Sequence, residues 1–230
     1  MYYHKLGTST EQDRRIYCNE ENEFRYVSGE ISDDKKYLVI SESAGTSGVG
    51  IYLQSLTGND HSIRCILPGY DYDYVMVGMH NGCLLFYTND NAPNYRLIAV
   101  NPQSPQRSAW KEIIPEQDNV LSGVTLANGR ILASYAIDVM SHLYCYSMDG
   151  EQLYEVQLPG NGTLQGISGS PKEKEVFYTY TSFTYPQTVY TFDTESRESE
   201  LYYTPQVDFD PEQYVSEQLF FTSKDGTRIP

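Results

Sequence analysis

Basic residues are scarce in this chain: 16 Lys and Arg stand against 31 Asp and Glu, for a formal net charge of −15. Nucleic-acid binding draws most of its affinity from Lys and Arg neutralising phosphates, so a DNA or RNA partner is not expected. The same deficit argues against anionic membrane surfaces. Long apolar runs are missing too, and none approaches the roughly 18–20 residues that a membrane helix needs. The first residues, MYYH, lead directly into a strand-like segment, so no signal peptide is expected on this chain. The four cysteines, Cys18, Cys65, Cys83 and Cys145, form no CxxC, which removes the spacing of a structural zinc site. Free, mostly buried thiols are expected, as suits a reducing compartment. Helical periodicity is weak throughout.

What replaces it is a repeat. Short apolar strands start at positions 37 (YLVIS), 84 (LLFYT), 131 (ILASY) and 176 (VFYTY), spaced 47, 47 and 45 residues apart. A second series starts at 51, 95, 143 and 189, and a third ends at Pro68, Pro115, Pro159 and Pro205. Turn sequences such as Asn81-Gly82 and Asn128-Gly129 precede members of the first series. A period of this length signals stacked supersecondary units, and four short strands per unit is the pattern of a β-propeller blade. The expected fold is all-β, a β-propeller fragment of about four and a half four-stranded blades.

Complete blades are expected near residues 24–68, 74–115, 120–159 and 164–205, after a partial blade in 1–18. Residues 1–216 then form a partial propeller. Antiparallel alternation sorts the connections: the turns after the first and third strands of each blade lie on one face. The loops after the second strand and the crossings to the next blade lie on the other. That second face collects loops 19–27, 42–50, 68–74, 89–94, 115–120, 136–141 and 180–187, with the exit at 206–217. A further strand-like run at 218–222 is followed by SKDGTRIP, and both ends of the chain read as cut from a longer protein. The 22 tyrosines are expected to fill space between sheets while their hydroxyls reach water.

The sequence offers no catalytic set. The nearest string to a nucleophile elbow, Gly166-Ile167-Ser168-Gly169-Ser170, lacks the last glycine of GxSxG and falls in a blade strand. His4, His61, His80 and His142 are scattered over different units with no metal-binding spacing. The alternating Tyr70-Asp71-Tyr72-Asp73-Tyr74 provides too few oxygen ligands for calcium. Asn161-Gly162-Thr163 fits a glycosylation sequon, relevant only to a secreted chain. No metal and no cofactor are expected.

Several strings together resemble the prolyl oligopeptidase (prolyl endopeptidase) family. They are residues 2–8 (YYHKLGT), 32–41 (SDDKKYLVIS), 88–100 (TNDNAPNYRLIAV), 110–116 (WKEIIPE), 180–193 (YTSFTYPQTVYTFD) and 222–230 (TSKDGTRIP). The pairing of PNYRL with a downstream SKDGTRIP is the most specific of these. The resemblance implies the later blades of a seven-bladed propeller joined to an α/β-hydrolase domain of the same polypeptide. Residues 217–230 would begin that domain, and its Ser-Asp-His triad would lie beyond Pro230, so no catalytic residue is expected in this chain.

The resemblance also implies a function: hydrolysis of short proline-containing peptides after proline by a serine peptidase. Within it, the propeller gates access and lines part of the substrate pocket. The pocket positions fall at Tyr26, Ser43 and Thr46, where the family favours methionine, arginine and cysteine. The 230 residues alone are expected to be inactive and to self-associate through exposed blade edges. The alternative is a stand-alone propeller acting as a protein- or peptide-binding module on the same loop face. A cytoplasmic location is expected, with a periplasmic or exported one left open by the missing native N-terminus.

Overall fold

The computed structural model describes residues 1–230. Close contacts divide the chain into two compact units, one of residues 1–92 and 98–112, the other of residues 93–97 and 113–230. The chain starts with a two-stranded pair, β1 (Tyr2–Tyr3) and β2 (Arg14–Arg15). Four four-stranded antiparallel sheets follow, each a meander in sequence order. The first holds β3 (Tyr26–Ile31), β4 (Tyr37–Ser43), β5 (Val49–Ser55) and β6 (Ile63–Leu67). The second holds β7 (Tyr74–His80), β8 (Cys83–Thr88), β9 (Arg96–Val100) and β10 (Lys111–Ile114). The third holds β11 (Val120–Ala127), β12 (Arg130–Ile137), β13 (Met140–Ser147) and β14 (Gln152–Val156). The fourth holds β15 (Thr163–Ser168), β16 (Glu175–Thr181), β17 (Thr188–Asp193) and β18 (Ser199–Tyr203), before a last short pair, β19 (Phe221–Thr222) and β20 (Arg228–Ile229). Helix is limited to three single 3-10 turns, and no helix is long and apolar enough to cross a membrane.

Turn chemistry sets the hairpins. Asn81-Gly82 and Asn128-Gly129 both adopt positive φ at each residue, the type I′ geometry that matches strand twist. They pair His80 with Cys83 and Ala127 with Arg130. Alternation along the strands then builds the cores. In the first unit, Val39, Ile51, Leu53 and Leu67 pack with Leu84, Phe86, Ile98 and Val100. In the second, Leu132, Leu143, Cys145 and Val156 pack with Val176, Tyr178, Tyr180 and Phe192.

Buried carboxylates are paired. Asp90 is fully buried, accepts a hydrogen bond from the Tyr74 hydroxyl, and lies 2.7 Å from the Arg107 guanidinium. That guanidinium also covers the Tyr72 and Trp110 rings.

Four expectations need correction. Only Cys145 is buried among the thiols; Cys18 and Cys83 are half-buried, and Cys65 is exposed because it sits on the outermost strand of its sheet. Several tyrosine hydroxyls bond buried carboxylates rather than water. The loop expected over 136–141 shrinks to Asp138 and Val139, both at positive φ, because β12 and β13 run on to a two-residue turn. The strand-like run at 218–222 is likewise reduced to the two residues of β19, which have β20 alone as a partner.

The outer strand β18 carries Leu201, Tyr202 and Tyr203, all more than half exposed, and Tyr202 stacks edge-to-face on Phe177. An apolar outer strand, paired on one side and free along its other edge, is a template for association. We expect light scattering on the isolated 230 residues to show a mass that rises with concentration above 26.3 kDa. A monomer at all concentrations would contradict this.

Candidate functional site

Strand register joins two of the three candidate positions. Counting back from the Ile31–Leu38 pair, the β3–β4 ladder ends with Tyr26 directly opposite Ser43. Opposed residues of an antiparallel pair hold their side chains side by side on one face. Tyr26 is 70% exposed and Ser43 half-buried. Thr46 lies apart from them in the exposed bend that follows β4.

That bend has a fixed shape. Gly48 closes it at φ +79°, and a Cβ there would lie 1.7 Å from the Tyr70 carbonyl oxygen, so no other residue fits without moving the backbone. The Gly48 N–H donates to Asp73 Oδ1 at 2.7 Å, and the Val49 N–H donates to the Tyr72 carbonyl at 2.8 Å. The Tyr70–Tyr74 segment is thus used to clamp the bend, with Asp73 as an acceptor for loop backbone. No group of three or more His, Cys, Asp or Glu side chains converges on a metal-sized site.

The reverse face holds a group that sequence reasoning missed. Glu42 neighbours Ser43 but points to the other side of β4, and it is completely buried. Its carboxylate accepts hydrogen bonds from Tyr17 Oη at 2.7 Å, from Asn19 Nδ2 at 2.8 Å and from the Tyr70 hydroxyl. The Arg25 guanidinium lies 4.3 Å above the Tyr70 ring. Burial alone would raise the Glu42 carboxyl, but the bonds from Tyr70, Tyr17 and Asn19, with the charge of Arg25, hold it below the usual carboxylate range. Burial and the same carboxylate push the Tyr17 hydroxyl up, and the hydrogen bond to Glu42, then burial, does so for Tyr70. The signal was present in the sequence: Leu38, Ile40 and Glu42 form one inward-facing series, so a carboxylate stands where an apolar residue is due.

Other residues singled out in the sequence stay apart. His4 pairs with Asp13 at 2.6 Å, His142 with Glu155 at 2.8 Å, and His61 with the Ser55 carbonyl at 2.9 Å. Ser168 ends β15 opposite Phe177 on an ordinary blade strand.

Because the folded-state value of Glu42 is depressed, its contribution to stability is whole above the unfolded carboxyl value near 4.3 and is lost as pH falls through the folded one. Glu42→Gln removes that acid-side loss and leaves buried donors competing for one oxygen, at a cost of about 1–3 kcal/mol at neutral pH. Urea midpoints of both proteins between neutral and acid pH check this; parallel pH profiles would refute it.

The chain is similar to known proteins over its whole length. The family model described as the prolyl oligopeptidase N-terminal β-propeller domain matches residues 1–205. A prolyl endopeptidase of Elizabethkingia miricola is 37% identical over 230 residues, covering 100% of this chain and 32% of the relative. A dual function macrocyclase-peptidase of Galerina marginata is 30% identical over 241 residues, again 100% of this chain and 33% of the relative. Among solved structures, the apo form of prolyl oligopeptidase B from Galerina marginata superposes with a TM-score of 0.88 at 29% identity, over 99% of this chain and 33% of that one. The chain therefore spans about a third of the length of these relatives. With four four-stranded antiparallel sheets and the family model matching residues 1–205, the chain belongs to the prolyl oligopeptidase N-terminal β-propeller family.

Proposed function

We propose that these 230 residues are the propeller portion of a serine peptidase that cleaves short peptides after proline. The observation that carries this reading is the family match over residues 1–205, joined to a prolyl endopeptidase 37% identical along the entire chain. In this reading, nucleophile, base and oxyanion hole belong to an α/β-hydrolase domain that residues 217–230 begin, and the 230 residues alone turn over no peptide. The propeller admits short peptides and excludes folded chains. Tyr26 and Ser43, adjacent across β3 and β4, present an aromatic face and a hydroxyl to the peptide, and Thr46 adds a second hydroxyl from the clamped bend. An uncharged patch of this kind takes apolar residues next to proline. Three partly or fully accessible unpaired thiols support the cytoplasm as its compartment.

Two experiments test this. Protein captured from its source with an antibody to these residues should react with a fluorophosphonate serine probe, as a band far above 26.3 kDa. An unlabelled band near 26.3 kDa would instead identify a free-standing binding module. In the whole peptidase, Tyr26→Ala should raise KM for proline-containing tripeptides by about threefold to tenfold with kcat nearly unchanged. The side chain is exposed, so the unfolding free energy from urea titration should stay within about 0.5 kcal/mol of the parent's. An unchanged KM would remove Tyr26 from the pocket.

A further inference from the structure

A cavity with a volume of about 580 Å3, apart from Tyr26 and Ser43, lies within the second unit. That is the size range of small-ligand sites. Four tyrosines line it, Tyr180, Tyr185, Tyr190 and Tyr214, together with Glu212 and Ser216. No Lys, Arg or His is among its lining residues, and the segment forming one wall, residues 206–217, carries Asp208, Asp210, Glu212 and Glu217 with no basic residue.

The walls are built rather than incidental. Asp210 caps the 3-10 turn Pro211–Gln213 by accepting from the Glu212 N–H at 3.1 Å, and Phe209 meets the Tyr214 ring edge-to-face at 5.9 Å. The Tyr185 hydroxyl donates to Glu212, which ties the wall to the loop after β16. Tyr180 donates to the Gly160 carbonyl at 2.5 Å, and burial pushes its hydroxyl up to about 12, so it stays a neutral donor. Tyr190 is held by stacking on Tyr178, with ring centres 5.3 Å apart. Two features are left over. The Ser216 hydroxyl is shielded from solvent without a hydrogen-bond partner, and the Glu212 carboxylate, bonded by the Tyr185 hydroxyl, borders a cavity lined by no basic residue.

We propose that this cavity is a binding site for a guanidinium group, the arginine side chain of a peptide. Tyrosine faces attract cations through their quadrupole. A planar guanidinium stacks on such rings and also presents a fork of N–H donors to a carboxylate, which a compact ammonium cannot do as well. Glu212 supplies the charge and the tyrosine rings the flat surfaces, while the Ser216 oxygen is an acceptor for a remaining N–H. The peptide nature of the occupant rests on the peptidase reading. On that reading, the cavity selects substrates bearing arginine at a distance from the proline.

The test uses the whole polypeptide and two blocked tripeptides without proline, acetyl-Gly-Arg-Gly-amide and the same peptide with citrulline, which keeps the shape and removes the charge. Calorimetric titration should show arginine bound about tenfold more tightly than citrulline. Glu212→Gln should bring the two within about twofold, and Tyr214→Ala should weaken arginine binding while Tyr214→Phe retains it. Equal affinities for the two peptides on the unmodified protein would overturn the proposal whether or not a variant folds. So would an arginine preference that survives Glu212→Gln. Cleavage of a proline peptide by the same preparation reports on the peptidase reading separately, since neither probe contains a scissile proline.

Discussion

A four-stranded antiparallel sheet cannot bury both of its own faces, and this constraint governs the chain from its period to its loops. Each sheet needs neighbours, so the same strand pattern must recur at nearly the same spacing. The recurrence places apolar residues at equivalent strand positions: Ile51 and Leu84 in one core, Leu143 and Val176 in the other. These side chains are almost fully buried, each contributing on the order of 1.5–3 kcal/mol of transfer free energy. The connections contribute little to this packing. They are free to differ from blade to blade, and every candidate contact residue is found in or beside them.

Buried charge is the second theme. An acidic chain folded from stacked sheets brings carboxylates close to its cores, and an unpaired one there would be costly. Glu42 and Asp90 show the same solution: each stands at the end of a second strand or just beyond it and is met by tyrosine hydroxyls from other segments. A tyrosine suits this because its ring extends the core while its hydroxyl satisfies the acid. The abundance of tyrosine and the excess of acid look unrelated in the composition, yet at these two sites they work as a single structural device.

The fold was legible because period, turn sequences and strand composition agreed with one another. Asn81-Gly82 and Asn128-Gly129 are strong hairpin signals, and both form the turns they encode. Asp138-Val139 is not such a signal; a β-branched residue disfavours positive φ, so the sequence pointed to a longer loop. The candidate site was only half legible. Tyr26 and Ser43 were placed in two loops on one face, yet the ladder that starts at the Asp33-Asp34 turn runs on and makes them cross-strand neighbours. Strand ends are weakly encoded, since the last pairs depend on a partner more than on propensity. The tyrosine-lined cavity had no local signal at all. Its residues come from segments up to 57 positions apart, from Pro159 to Ser216, and only folding collects them.

The structure also separates the shape of the candidate site from its chemistry. The bend carrying Thr46 is held by the Gly48 approach to Tyr70, by Asp73, and by Glu42 anchoring the strand from behind. None of these is a contact residue on the reading given above. Tyr26, Ser43 and Thr46 can therefore differ from the residues that the family favours while the loop keeps its course. Changing the clamp would have the opposite effect, since the contact residues would remain but would no longer be presented together. Tyr26 and Thr46 are exposed, so substitutions there cost little stability, because the contacts that fix the loop are made by Gly48, Asp73 and Glu42 instead.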